Sequence, residues 1–323
     1  MNYPSFLIRK LLDSYRDTFK VVNFFNLTQL NGFSVLIKIF FIKFFYSFTY
    51  LRNNKKYNNI NDVITEKNDS IEEKINIADI IKDVDLRGYS RFLNLKKNSI
   101  LEFKNLAMTS NNHDLNKIPD SLKSLSLKKA EETHDDYLER LKSYGISRIT
   151  GNIDLNTKNS ISDLLLSNSL LRLAKLYLGS EKISISCSYF ISIPKENMTE
   201  KDKISNAQYF HWDNDFTKFL KLYIYLSDVN DDSGPHIFVP GTHKKKMFKH
   251  QLHRPYSDND IYDSYAEVKK FLGKTGTLFF VDSYGLHKGE LPKNNNRIMI
   301  NAHYGKSKIL YSKYDKFINA NKI

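Results

Sequence analysis

The feature that most constrains the fold is a change in the hydrophobic period near residue 182. After this point, apolar and polar residues alternate in several short segments that are separated by turn residues such as Asp231 to Gly234. Alternation with period two is typical of strands that bury one face. The segments are ISISCSYFISI, QYFHWD, LKLYIYLSDV, HIFVP, GTLFFVDS and RIMINAHYG. A run of antiparallel strands predicts a double-sheet jelly roll of the cupin type.

The segment before this β region has a helical period. THDDYLERLKSYG predicts a helix that ends at Gly145, and LLLSNSLLRLAKLYLG predicts a helix that ends at Gly179. The expected fold is therefore mainly β with α, in which a double-stranded β-helix core is flanked by helices. A helical extension precedes this core at the N-terminus.

Residues 1–60 form that extension, and they contain nine Lys or Arg residues against two Asp residues. Residues 4–24 have the pattern of an amphipathic helix, whereas 32–51 are apolar and aromatic-rich but contain Lys38 and Lys43. A lysine at the centre of a membrane span costs roughly 2.5–3.5 kcal/mol. Three placements stay open: a membrane-surface element, a helix packed on the core or on a partner, and a transmembrane span.

Composition and the positions of turn residues suggest how the rest of the chain is divided into segments. A polar linker is expected at 61–79, a catalytic domain at 80–308 and a C-terminal tail at 309–323. The single cysteine, Cys187, excludes an intramolecular disulfide and a four-cysteine zinc site. No secretory signal is recognised at the start of the chain. A cytoplasmic location is expected, with a peripheral position at the inner face of a membrane as the second option.

The tripeptide His211-Trp212-Asp213 is the first candidate for chemistry. Residues i and i+2 of a strand point to the same side, so the imidazole and the carboxylate would converge. A second His-x-Asp occurs at His134, but it lies in a helical stretch where i and i+2 do not face each other. Two His and one carboxylate form the facial metal site of non-haem Fe(II) enzymes, and His287 would supply the second His.

Arg297 follows His287 by ten residues and begins the next predicted strand. A guanidinium binds a carboxylate through two parallel hydrogen bonds, which lysine cannot reproduce. This pair of residues therefore indicates a third metal ligand and a clamp for a carboxylate.

These motifs resemble the central signature of the phytanoyl-CoA dioxygenase family. The similar segments are QYFHWD, LYIYLSDVNDDSGPHIFVPGTHK, GTLFFVDSYGLHKG and RIMIN, and they occur in the family's order. Weaker similarity is seen in DLRGYSRFLNL and SNSLLRLAKLYLG. The resemblance covers about residues 80–305.

The resemblance implies an oxygenase that requires Fe(II), 2-oxoglutarate and O₂. The implied catalytic and metal-binding residues are His211, Asp213 and His287, and Arg297 would bind the distal carboxylate of 2-oxoglutarate. Tyr223 and Gln208 are assigned to the cosubstrate as well, although Tyr223 also fits as an ordinary strand tyrosine. Gly289 departs from the family pattern, which often has a hydroxyl residue there. Related halogenating enzymes lack the carboxylate ligand, so Asp213 favours hydroxylation.

A small-molecule or lipid-like substrate is expected, and residues 1–60 could contact a membrane surface. The net charge of +13 raises the question of a nucleic-acid partner. None is expected, because the sequence does not indicate a basic, aromatic-lined groove. The alternative from another class is a catalytically inactive jelly-roll module that binds carbohydrate or lipid. The sequence does not specify the oligomeric state.

Overall fold

Helices precede the β region, as the change of period predicts. The computed structural model describes residues 65–109, 129, 131–213, 218–251, 255–306 and 316–319. The helices in these ranges are α1 (Ile77–Arg87), α2 (Lys97–Thr109), α3 (His134–Ser143), α4 (Ser160–Leu165), α5 (Asn168–Leu178), α6 (Glu200–Ser205) and α7 (Asp258–Ser264).

Local side chains explain where these helices begin and end. The Thr133 hydroxyl accepts a hydrogen bond from the Asp136 amide at 3.1 Å and caps α3. Gly179 adopts a left-handed conformation and ends α5, as predicted. The predicted helix before Gly179 is interrupted at Ser167, whose backbone is extended. The Ser167 hydroxyl donates to the Leu164 carbonyl at 2.7 Å, so α4 and α5 are separate helices.

Twelve strands are present in the described ranges. They are β1 (Thr65–Glu66), β2 (Ile75–Asn76), β3 (Leu93–Asn94), β4 (Arg148–Asn152), β5 (Lys182–Ser192), β6 (Leu220–Tyr225), β7 (His236–Phe238), β8 (Lys269–Phe271), β9 (Thr277–Val281), β10 (His287–Gly289), β11 (Arg297–Gly305) and β12 (Lys316–Asn319). The major sheet has the order β12-β5-β11-β6-β9-β3, and β4 also pairs with β5. The minor sheet has the order β10-β7-β8, and all pairs in both sheets are antiparallel.

The alternation along β11 shows how the two sheets form a jelly roll. Ile298, Ile300, Ala302 and Tyr304 belong to the large apolar core that the major sheet shares with the helices. The intervening positions from Arg297 to His303 face the other way and line a cavity. A second apolar cluster contains residues of both sheets, such as Tyr225 of β6 and Phe238 of β7. The fold is therefore the predicted double-stranded β-helix with flanking helices.

The predicted linker at 61–79 is wrong for the residues that the structure describes there. Ile71, Ile75 and Ile77 are buried in the large apolar core, so the segment from residue 65 belongs to the domain. The segment is polar overall, and its composition did not indicate that a few isoleucines pack into the core. Residues 316–319 of the predicted tail form β12 on β5.

Residues 1–60 lie outside the described residues, so the predictions for them stay predictions. Within the described ranges, none of the helices has the length and apolar character that a membrane crossing requires.

Candidate active site

His211 and Asp213 lie beside the minor sheet, in a segment that was predicted to be a regular strand. The structure instead shows two isolated bridges, which pair Phe210 with Tyr256 and His211 with His287. The Asp213 amide donates to the Ser283 carbonyl at 2.9 Å. The two side chains still converge, because His211 Nε2 lies 3.9 Å from Asp213 Oδ1.

His287, the first residue of β10, completes this cluster. Its Nε2 lies 3.7 Å from Asp213 Oδ2. One ligand atom from each of His211, Asp213 and His287 can be chosen so that all three lie within 4.8 Å of one another. This separation suits three ligands on one face of a metal ion.

Hydrogen bonds hold both imidazoles in the tautomer that a metal needs. The Nδ1 atoms of His211 and His287 each lie 2.9 Å from the carbonyl two residues earlier, of Tyr209 and Gly285 respectively. A carbonyl only accepts, so each Nδ1 carries the proton, and Nε2 is the ring atom left for a metal to bind. Burial lowers the pKa of His287 to about 3, which keeps its ring neutral.

Asp213 is held as a carboxylate by a lysine. Burial by itself raises the pKa of Asp213, but the adjacent Lys221 ammonium favours the ionised carboxylate, and the pKa lies well below its usual range. Lys221 Nζ lies 2.6 Å from Asp213 Oδ2, and the Ser283 hydroxyl donates to the same oxygen at 2.5 Å. Sequence reasoning missed both partners. Lys221 is a charged residue within the apolar segment LKLYIY, and this unusual position could have indicated that it has a buried acidic partner.

Arg297 begins β11, and its guanidinium is buried in the same cavity. One terminal nitrogen donates to the Gly234 carbonyl, and the other lies 3.4 Å from the Ser192 hydroxyl. Its Nε has no hydrogen-bond partner, and no carboxylate in the described part of the chain pairs with it. A buried cation in this state is costly unless an anion binds it. The site therefore fits a ligand carboxylate.

Gly289 lies beside this guanidinium. A Cβ atom at Gly289 would lie 3.2 Å from Arg297 Nη2. Gly289 provides no hydroxyl group to a ligand. Because it has no side chain, it leaves room for the Arg297 guanidinium.

The structure brings Tyr223 to the cavity but not Gln208. Tyr223 is buried in the wall, with its ring centroid 4.8 Å from that of His236. The Gln208 amide nitrogen lies 3.7 Å from the Met198 sulfur, and Gln208 is not among the described residues that line the cavity. Its assignment to the cosubstrate therefore has no geometric support.

Two further histidines, His236 and His303, also lie in the cavity wall. His236 stacks on Phe271 at 5.3 Å, and its ring centroid lies 5.4 Å from that of His287. His303 packs on Phe219 at 5.1 Å. Neither position could be recognised from the sequence, because both depend on the register of the sheets. His243 and His250 are buried but do not line the cavity.

One cavity of about 450 Å³ connects these groups. This volume is within the range of small-molecule sites, roughly 300–1,000 Å³. It is lined by Arg148, Ser186, Ser188, Phe190, Ser192, Asn206, Ala207, His211, Asp213, Lys221, Tyr223, His236, His287, Gly289, Arg297, Met299, Asn301 and His303.

A family model described as phytanoyl-CoA dioxygenase (PhyH) matches residues 125–296, more than half of the 323 residues. The matched range contains the His211, Asp213 and His287 cluster, and Arg297 lies one residue beyond it. No curated protein sequence matches the chain significantly.

Several solved structures are similar at low identity. The non-heme alpha-ketoglutarate-dependent carbocyclase SnoK from nogalamycin biosynthesis is 13% identical, with a TM-score of 0.48, over 74% of this chain and 95% of that chain. The epimerase SnoN from the same biosynthesis is 14% identical, with a TM-score of 0.44, over 71% and 82%. HygX from Streptomyces hygroscopicus, solved with nickel, 2-oxoglutarate and hygromycin B, is 10% identical, with a TM-score of 0.44, over 71% and 86%.

Proposed function

Because this chain belongs to the phytanoyl-CoA dioxygenase family, we propose that it is an Fe(II)- and 2-oxoglutarate-dependent dioxygenase that hydroxylates an unactivated C–H bond of a small molecule. The observation that carries the proposal is the convergence of His211, Asp213 and His287 in the cavity that also contains the buried Arg297. A metal site and a carboxylate site in one small cavity match the two requirements of this chemistry.

The three side chains suit ferrous iron. Two imidazole nitrogens and one carboxylate form the two-His-one-carboxylate set, which leaves coordination positions open. Iron held by these residues would supply the oxidising chemistry, in which 2-oxoglutarate and O₂ are consumed and 2-oxoglutarate is converted to succinate and CO₂. Hydrogen bonds from Lys221 and Ser283 orient the Asp213 carboxylate, as outer partners of metal ligands commonly do.

Arg297 holds the distal carboxylate of the cosubstrate in this proposal. Its guanidinium is already oriented by Gly234 and Ser192, so little side-chain freedom is lost on binding. Tyr223 supplies an aromatic wall to the same part of the cavity. The remainder of the cavity is left for the substrate.

The alternative, an inactive binding module, accounts less well for the same residues. A module without metal has no need for two histidines whose Nε2 atoms lie 3.9 Å and 3.7 Å from the carboxylate of one aspartate. It also leaves a buried arginine without an anion among the described residues.

An anaerobic titration of the full-length protein with Fe(II) and 2-oxoglutarate tests the proposal. We expect one Fe(II) per chain and a weak visible metal-to-ligand band that requires both components. Absence of the band at saturating Fe(II) and 2-oxoglutarate would favour the binding module.

A further inference from the structure

The inward faces of β5 and β11 form a polar wall in the cavity, which we define as Ser186, Ser188, Asn301 and His303. The sheet register places Asn301 opposite Ser188 and His303 opposite Ser186. All four line the cavity that contains the metal cluster. The polar wall is therefore a continuous surface made by two neighbouring strands.

Several polar atoms of this wall have no protein partner in the described part of the chain. Asn301 Oδ1 and His303 Nε2 are buried without a hydrogen bond. The Ser188 hydroxyl donates to Asn152 Oδ1 at 3.2 Å and keeps its capacity to accept. Buried polar groups are nearly always paired in folded proteins, so this wall is suited to a ligand that carries donors.

Few of the side chains that line the cavity are purely apolar. Among the described lining residues, only Phe190, Met299 and Ala207 have purely apolar side chains. An acyl chain placed there would cover hydroxyl and amide groups without replacing their hydrogen bonds with water. The lining therefore disfavours the lipid-like substrate that the sequence left open.

The charge of the lining disfavours a cationic substrate. Arg148, Lys221 and Arg297 line the cavity, and Asp213 is the one acidic residue among the described lining residues. Asp213 is already paired with Lys221. No carboxylate is thus left to bind an ammonium group.

We propose that the substrate is a hydroxyl-rich small molecule, uncharged or anionic, whose hydroxyl groups bind the polar wall. This inference rests on the proposed function, because it assigns the substrate of the same site. Asn301 and His303 are its specificity-determining residues, and the serines add further hydrogen bonds.

The test is a binding titration on the full-length protein loaded with Zn(II) and 2-oxoglutarate, so that no turnover occurs. Three probe sets are compared by calorimetry: simple sugars with sugar acids, amino sugars with polyamines, and medium-chain fatty acids. We expect members of the first set to bind and the other two sets to bind more weakly. The visible Fe(II) and 2-oxoglutarate band is recorded without O₂ on a second aliquot of the same protein, which is loaded with Fe(II) in place of Zn(II).

Variants identify the binding surface. Asn301→Leu removes the amide at nearly constant volume and should weaken sugar binding about tenfold, the equivalent of about 1.4 kcal/mol. Ser188→Ala is a second, milder variant in case Asn301→Leu does not fold. Ser184→Ala is the matched control, because Ser184 is buried on the same strand but does not line the cavity.

The outcomes separate the two proposals. If the band forms but fatty acids or amines bind better than sugars, or no set binds, the substrate inference is wrong and the proposed function stands. If sugars bind equally well to wild type, Ser188→Ala and Asn301→Leu, the polar wall is not the binding surface. If the band does not form, the proposed function fails and the substrate inference fails with it.

Discussion

His211 and His287 are paired across an antiparallel bridge, in which the His211 amide donates to the His287 carbonyl at 2.9 Å and the His287 amide donates back at 2.8 Å. Residues directly opposite in an antiparallel pair have their side chains on the same side. The ring centroids are consequently 4.4 Å apart. Backbone pairing therefore brings together two candidate metal ligands that are remote in sequence.

The first prediction concerns metal affinity. His211→Ala or His287→Ala should weaken Fe(II) binding by more than about 100-fold, since changes to mere supporting residues of metal sites already cost roughly 10–100-fold. The measurement is an anaerobic Fe(II) titration. His236→Phe is the control, because His236 lies in the same cavity but outside the cluster. Equal losses in all three variants would contradict the assignment.

The second prediction concerns the cosubstrate. Arg297→Lys should weaken 2-oxoglutarate binding about tenfold or more, because a paired charge-assisted contact becomes a single one and each such bond contributes roughly 1.5–3 kcal/mol. Calorimetry on the metal-loaded protein measures this. Arg172→Lys, in an exposed ion pair with Glu66, should not change the affinity. Unchanged affinity in Arg297→Lys would exclude the clamp role.

The third prediction concerns stability in acid. Burial lowers the pKa of His243 from 6.5 to about 3, although its hydrogen bond to the Asp85 carbonyl partly opposes the shift. The unfolded chain therefore binds a proton that the folded protein excludes between these pH values. The contribution of His243 to stability is full above about pH 6.5 and falls by about 1.4 kcal/mol per pH unit as the pH decreases toward 3.

His243→Gln tests this, since glutamine keeps an N–H donor but does not titrate. Urea unfolding at several pH values between about 4 and 7 should give a shallower dependence of stability on pH for the variant. Parallel curves for the two proteins would show that His243 does not contribute.

The fourth prediction concerns residues 1–60, whose net charge from nine basic and two acidic residues is positive. If this segment binds a membrane surface, the full-length protein should sediment with anionic liposomes at low salt, since each basic residue near such a surface contributes about 1 kcal/mol. A variant that lacks residues 1–60 should stay folded, bind Fe(II) and no longer sediment.

The deletion must end before residue 65, because Ile71 and Ile75 are buried in the core. Loss of iron binding in the deletion variant would instead place residues 1–60 on the catalytic domain. Failure of the full-length protein to sediment with anionic liposomes at low salt would also contradict membrane binding.

The sequence by itself determined the features that depend on local order. The period of two along β11 determined which residues face the helices, and Gly179 determined the end of α5, because both follow from backbone geometry within a few residues. The chemical types of His211, Asp213, His287 and Arg297 likewise predicted a metal and carboxylate site.

Only the tertiary structure decided which distant side chains meet. The register of β11 with β5 and β6 placed Asn301, His303 and Lys221 in one cavity, whereas Gln208 turned toward Met198. Contacts of this kind depend on strand pairing between segments far apart in the chain, and a shift of one residue would reverse every side chain. Local composition does not specify that register. The sequence therefore predicted the chemistry of the site but not which other residues line the cavity.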